Sequence, residues 1–497
     1  MKKLIFSLFS LSFCTFCFFI SCDDVLDLVP ISSTSADGFY KTEVHVDQAI
    51  TGCYNSLRSN FVNEGSSYMM TEARSDNTFQ GVEYDDGPIS RFSETPDLPV
   101  LASRWASLYN GISRCNRVLT EIQKFERTNN IRQYEGEAKF IRALFYFDLV
   151  NLWGGVPLVT EPISITDSYK AIRASTEAIY DQVVKDLQDA AGLLPSQYSD
   201  RLTGRATSWA AKAYLGKVYL FRSGYPLKKN EWGSAKTALN EVMRSGAFEF
   251  FDSYEKIFDY NYEGGKQTVF GIKFKSGASG HGNPFPTRNA PNMIEKTELG
   301  EGGIPFGGSP GNLFLPADLI NNIESGDLRK DVAIRSEWLM NNGAIVTNQP
   351  FCQKYQNGPV ANVSDWDIDW IMLRYTDVMM MYAECLNEEG YEANGAAFDI
   401  MNQVRIRAGL APKTAADVPN QESFRLWMEQ ERRIEFCFEN LRWFDLVRTD
   451  RAYDVMRAFL TSYGLSNNVT RDRYLYPIPR RVINENPNIT QNPGYNN

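Results

Sequence analysis

The chain has 497 residues, including 31 Phe, 25 Tyr and 9 Trp, and carries a net charge of −10. That acidic balance excludes a general binder of nucleic-acid backbones, which needs a basic surface. Only two histidines are present, His45 and His281, so multi-histidine zinc sites and most histidine-dependent triads are excluded as well.

The first predicted element is an export signal. Lys2 and Lys3 precede an apolar run from Leu4 to Ile20 that ends in Ser21-Cys22-Asp23-Asp24. A short basic head before such a run reads as secretory. A spanning anchor needs about 20 apolar residues, slightly more than this run supplies. Of Cys14, Cys17 and Cys22, only Cys22 follows a small residue, so Phe19-Ile20-Ser21-Cys22 resembles a bacterial lipobox. Residues 1–21 are therefore expected to be a lipoprotein signal peptide, with Cys22 the lipidated N-terminus and 22–497 a single domain. Acyl chains on Cys22 would hold that domain to a membrane without spanning it. Cys14 and Cys17, whose spacing otherwise suggests redox chemistry, leave with the signal. The remaining Cys53, Cys115, Cys352, Cys385 and Cys437 are odd in number, and three fall in helical patterns. They are expected to be small buried hydrophobes.

Residues 60–100 hold few helical patterns and many polar turn formers. From Trp105 onward, Leu108, Ile112, Cys115, Leu119 and Ile122 mark one buried helical face. A second helix carries Phe140, Leu144, Phe147 and Val150 and is broken at Gly154-Gly155-Val156-Pro157. A third runs over 175–194 and stops at Pro195, with Ser175 suited to its start. A pair follows over 208–221 and 232–244, in which Gly216, Ala235 and Ala238 allow two antiparallel helices to stack closely, as in tetratricopeptide repeats. Residues 276–312 then concentrate 9 Gly and 5 Pro, against 35 and 22 in the whole chain, and read as a long insertion. The last helices are expected over 371–388, 396–408 and 423–439, before a tail rich in Pro that reads as an extended strap. The fold class is thus mainly α: irregular tetratricopeptide-like helical pairs with long loop insertions and little strand.

Chemistry motifs are sparse. Gly307-Gly308-Ser309-Pro310-Gly311 has the spacing of a nucleophile elbow, but Pro310 lacks the N–H that the oxyanion hole requires. Asp365, Asp367 and Asp369 begin like a calcium loop, yet Trp370 and Thr376 stand where Gly and Glu are needed. A looser calcium site of carboxylates and carbonyls stays open there. No P-loop is present, and no catalytic constellation emerges. No cofactor and no metal are expected, although paired carboxylates of a glycoside hydrolase remain an alternative among 61 acidic residues.

Several long segments, in order, resemble the SusD/RagB family of outer-membrane nutrient-binding lipoproteins. They include Ser21-Cys22-Asp-Asp-Val-Leu-Asp27 and Trp105-x-x-Leu-Tyr-Asn-Gly-Ile-x-Arg114-x-Asn116. Glu137-Ala-Lys-Phe-Ile-Arg142-Ala-Leu-x-Tyr146-Phe-Asp148 follows, with Gly154-Gly-Val-Pro157 behind it. Leu373-Arg374-Tyr-x-Asp377, Asn402-x-Val-Arg405-x-Arg407, Glu431-Arg432-Arg433-x-Glu435 and Arg442-Trp443-x-Asp445 continue the series, and Asn486-Pro487-Asn488 belongs to the closing segment. Arg142, Arg405 and Glu384 within these segments are expected to form buried ion pairs.

The resemblance implies a surface lipoprotein of the outer membrane, tethered by its lipid anchor, that lids a TonB-dependent (SusC-like) transporter. It implies an oligosaccharide ligand, no catalysis and no nucleic acid; peptide capture by the same kind of lid is the alternative. Family ligand sites correspond here to the loop regions 60–100 and 276–316. Starch-binding members stack sugars on Trp, and neither region contains one. Stacking would fall to Phe79, Tyr84, Phe92, Phe285 or Phe306, and polar contacts to Asp76, Asn77, Arg288 and Asn289.

Overall fold

The computed structural model describes residues 36–60, 66–79, 87–199, 202–277, 280–291, 294–295, 315–362 and 365–496. Cys22, Tyr84 and Phe306 lie outside the described residues, as does the signal segment. The longer helices are α1 (Glu43–Arg58), α2 (Pro99–Glu121), α3 (Asn129–Trp153), α4 (Thr176–Leu193), α5 (Ser208–Ser223) and α6 (Trp232–Met243). They continue as α7 (Tyr375–Glu389), α8 (Ala396–Arg407), α9 (Gln421–Glu435), α10 (Arg442–Arg448) and α11 (Ala452–Thr461).

Local chemistry sets their ends. The hydroxyls of Thr128, Ser175 and Thr207 accept from the N–H groups of Ile131, Ala178 and Ala210, capping α3, α4 and α5. Asn420 and Ser423 form a reciprocal capping box on α9. Successive helices pack from α2 on α3 through α4, α5 and α6 to α7, which then meets α8 and α9, while α1 lies against α2 and α3. Close approach depends on missing side chains. A Cβ on Gly111 of α2 would stand 2.3 Å from the Phe145 ring of α3, and one on Gly216 of α5 would stand 2.6 Å from Leu239 of α6. The mainly α, paired-helix architecture is therefore as the sequence implies.

Two boundaries differ. The apolar run Trp370–Arg374 is a strand, β2, paired antiparallel with β1 (Thr268–Ile272), and α7 begins only at Tyr375. A short buried apolar run has no helical signature of its own, and β1 supplies the backbone partners that decide its state. Helix α9 stops at Glu435, because Phe438 and Asn440 take positive φ values of 66° and 63°. That turn aims the N–H groups of both residues at the Glu72 carboxylate. The other strands among the described residues are two-residue pieces.

Charge is built into the core. Arg142 pairs with Asp186, Arg405 with Glu324 and Glu431, and Arg448 with Glu384, all as expected from the sequence. Glu435 is shared by Arg329, Arg374 and Arg407. All five remaining cysteines are free and buried. The tail straps the end of α3: Tyr476 donates its N–H to Leu152 O, and the Trp153 indole donates to Pro477 O.

Candidate ligand-binding site

The first loop region folds inward before it reaches the surface. After a short helix (Ser66–Thr71), Arg74 is fully buried, pairs with Glu94 at 2.5 Å and stacks 3.6 Å from the Phe92 ring. Asp76 takes two bonds from Arg442, at 2.8 and 2.9 Å, and lies 3.1 Å from Arg433. Burial alone would raise the Asp76 pKa; Arg442 and Arg433 outweigh it and hold the carboxyl at about 2. Asn77 donates to Glu72 and accepts from Arg433. Glu72 is pushed up to about 7 by burial, despite its bonds from Asn77 and the Phe438 and Asn440 N–H groups.

Asp76, Asn77 and Phe92 are thus frame residues, contrary to the sequence expectation. Their polar atoms and faces are committed to α9, α10 and Arg74. Polar residues in a turn-rich segment look solvent-facing in sequence; here two arginines more than 350 positions away pull the segment inward.

The second region contributes Phe285–Arg288, a single helical turn. Phe285 is buried among Tyr68, Tyr355 and Trp370, with ring centroids 5.0, 5.2 and 4.6 Å away. Asn289 donates to Phe285 O and is likewise buried. Both are corrections: they anchor their own loop. Arg288 is half-buried. The Tyr68–Phe285 contact does bring the two loop regions together, but as a packed seam.

What reaches solvent here is Tyr463, backed by the buried Phe79, and the Asp318 carboxylate. Phe79 stacks on Tyr463, centroids 3.8 Å apart and planes at 19°, with Phe459 behind it. Tyr463, just past α11, remains 39% exposed. Asp318 has a half-exposed side chain and holds Arg433 at 2.7 Å. Burial and the nearby Asp318 charge both raise the Tyr463 pKa, which puts carboxylate and phenol in one neighbourhood. An aromatic face beside a half-exposed carboxylate suits a ligand with apolar faces and hydroxyls. Of the sequence candidates among the described residues, Phe79 belongs to this patch. Tyr463 and Asp318 were missed because they lie outside both loop regions, and an aromatic at a helix end carries no periodic signal.

The acidic triplet also finds ordinary partners. Asp367 and Asp369 pair with Lys275 and Lys273, and Asp365 accepts from the Gly277 N–H. Among the described residues, no group of three His, Cys, Asp or Glu side chains is placed to hold a metal. Nor is any helix of the described residues long and apolar enough to cross a membrane.

Known proteins align with this chain along nearly its whole length. Residues 324–495 match a family model described as the SusD family, and residues 24–220 match one described as starch-binding, associating with the outer membrane. A SusD-like protein of Formosa agariphila, P38, is 26% identical over 96% of either chain. A SusD homologue from Bacteroides thetaiotaomicron superimposes with a TM-score of 0.78 at 22% identity, covering 93% of this chain and 98% of the other. A structure described as a laminarin-binding SusD-like protein gives 0.76 at 24% identity, covering 92% and 100%.

Proposed function

This chain belongs to the SusD/RagB family, whose members are outer-membrane associated, and from that premise we propose that it is a cell-surface lipoprotein that captures oligosaccharide. In this reading Cys22 carries the lipid anchor, and the protein lids a TonB-dependent importer of the SusC type without cleaving its cargo. The observation that carries the ligand class is the exposed Tyr463 ring stacked on Phe79 beside Asp318 and Arg433. Sugar C–H faces pack on such rings, while the half-exposed Asp318 carboxylate accepts from hydroxyls. Arg288, Tyr84 and Phe306 remain candidate ligand contacts from the sequence.

Glu72 is closed to a substrate. Glu72 is raised to about 7, but its oxygens are taken by Asn77 and two backbone N–H groups. A general acid needs an open face toward its substrate.

The test is calorimetric titration of the mature protein with starch-type and laminarin-type oligosaccharides and a peptide panel. Those glycans lead because their names attach to a matched family and a similar structure. Tyr463→Ala should weaken glycan binding roughly fivefold, the equivalent of about 1 kcal/mol of stacking. Binding of peptides alone would replace the ligand class, and unchanged affinity in Tyr463→Ala would remove the patch from the site.

A further inference from the structure

α1 ends at Arg58, whose guanidinium meets the mid-chain insertion: Nη1 lies 2.5 Å from His281 Nδ1. That ring nitrogen is its only hydrogen-bond partner among the described residues, where it has no ion pair, and Arg58 Nε is buried without a partner. Burial lowers the Arg58 pKa, as expected for a cation without a counter-ion.

Beside Arg58 opens a groove of about 480 Å³, bounded by α1, residues 202–205 and β1 with the segment after it. Arg58, Arg205, Lys273, Lys275 and His281 line it, and among the described residues no Asp or Glu does, on a chain whose net charge is −10. Three of these cations have partners elsewhere: Arg205 with Asp47 and Glu137, Lys273 with Asp369, and Lys275 with Asp367. They add positive field, while Arg58 has no acidic partner among the described residues. Leu57 and Ile272 give the groove apolar wall, and its size falls in the range of small-ligand sites. A neutral sugar or a peptide backbone would leave the guanidinium without a counter-ion. A carboxylate or sulfate would satisfy it, and in the planar geometry that arginine prefers.

We infer that this groove takes the acidic group, carboxylate or sulfate ester, of a charged oligosaccharide, with Arg58 as its direct partner. The inference rests on the glycan-capture reading and narrows it to acidic glycans. The groove shares no lining residue with the Phe79–Tyr463 patch, so the two contacts are separable.

The mature chain is titrated with three probes: oligogalacturonate for carboxylate, a sulfated galactan oligosaccharide for sulfate, and a neutral laminari-oligosaccharide. At least one acidic probe should bind, more weakly as salt rises, and about tenfold or more weakly in Arg58→Gln. Lys275→Gln, at an exposed side chain, should weaken it severalfold and carries the test should Arg58→Gln fail to fold. An acidic probe bound equally by these variants overturns the inference. Binding of the neutral probe with neither acidic one overturns it while leaving glycan capture standing. Binding of no glycan ends both.

Discussion

Replacing Asp76 with Asn separates the two roles that this residue could have. In the structure it is a buried anion clamped by two guanidiniums, 2.8 and 2.9 Å from Arg442 and 3.1 Å from Arg433. Its carboxyl is held at about 2 against an ordinary 3.8, a difference worth about 2–3 kcal/mol of stability at neutral pH. Breaking a buried pair typically costs about 3–5 kcal/mol. The lower end applies here, because Arg433 keeps Asp318 at 2.7 Å and Arg442 keeps a weak contact with Glu429 at 3.8 Å. Asp76→Asn should therefore lower the unfolding free energy by about 2–3 kcal/mol, read by urea unfolding at pH 7. The folded pKa is depressed, so this stability is fully present above the unfolded value near 4 and is lost as pH falls toward 2. The gap between wild type and variant should close over that window. Where both proteins are folded, glycan affinity should be unchanged. A variant of wild-type stability that no longer binds ligand would refute the reasoning and return Asp76 to the ligand surface.

Two further outcomes test the frame. Glu435→Gln removes the charge shared by Arg329, Arg374 and Arg407. Arg329 and Arg374 keep Asp327 and Glu439, whereas Arg407 loses its carboxylate, so about 3 kcal/mol should be lost in urea unfolding at pH 7. Its carboxyl is also held below the usual range, so that loss too should shrink as pH falls below about 4. Gly111→Ala places a methyl 2.3 Å from the Phe145 ring; a cost of about 1–3 kcal/mol and a lower melting temperature are expected, and an unshifted melt would mean that α2 and α3 are less tightly packed.

The helical body was legible because its signals are local. The cap at Ser175, the small residues of the 208–244 pair and the apolar spacings from Trp105 to Ile122 act within a few residues and survive in the folded chain. Motif order carried the family, and the arginines and acids inside those motifs became the ion-paired core. The Trp370–Arg374 run was not legible, since its strand state depends on β1, about a hundred positions earlier.

The candidate site divides along the same line. The sequence by itself determined a helical scaffold, free buried cysteines, an acidic surface and two loop regions worth inspecting. Only the tertiary structure decided which loop residues face water. Arg433 and Arg442 draw Asp76 and Asn77 inward, Arg74 claims Phe92, and an aromatic cluster claims Phe285. The exposed Tyr463 lies beyond both regions, and Arg58, without an ion pair among the described residues, stands at the end of a helix. Burial and charge compensation depend on partners hundreds of residues apart, and spacing along a chain carries no record of them.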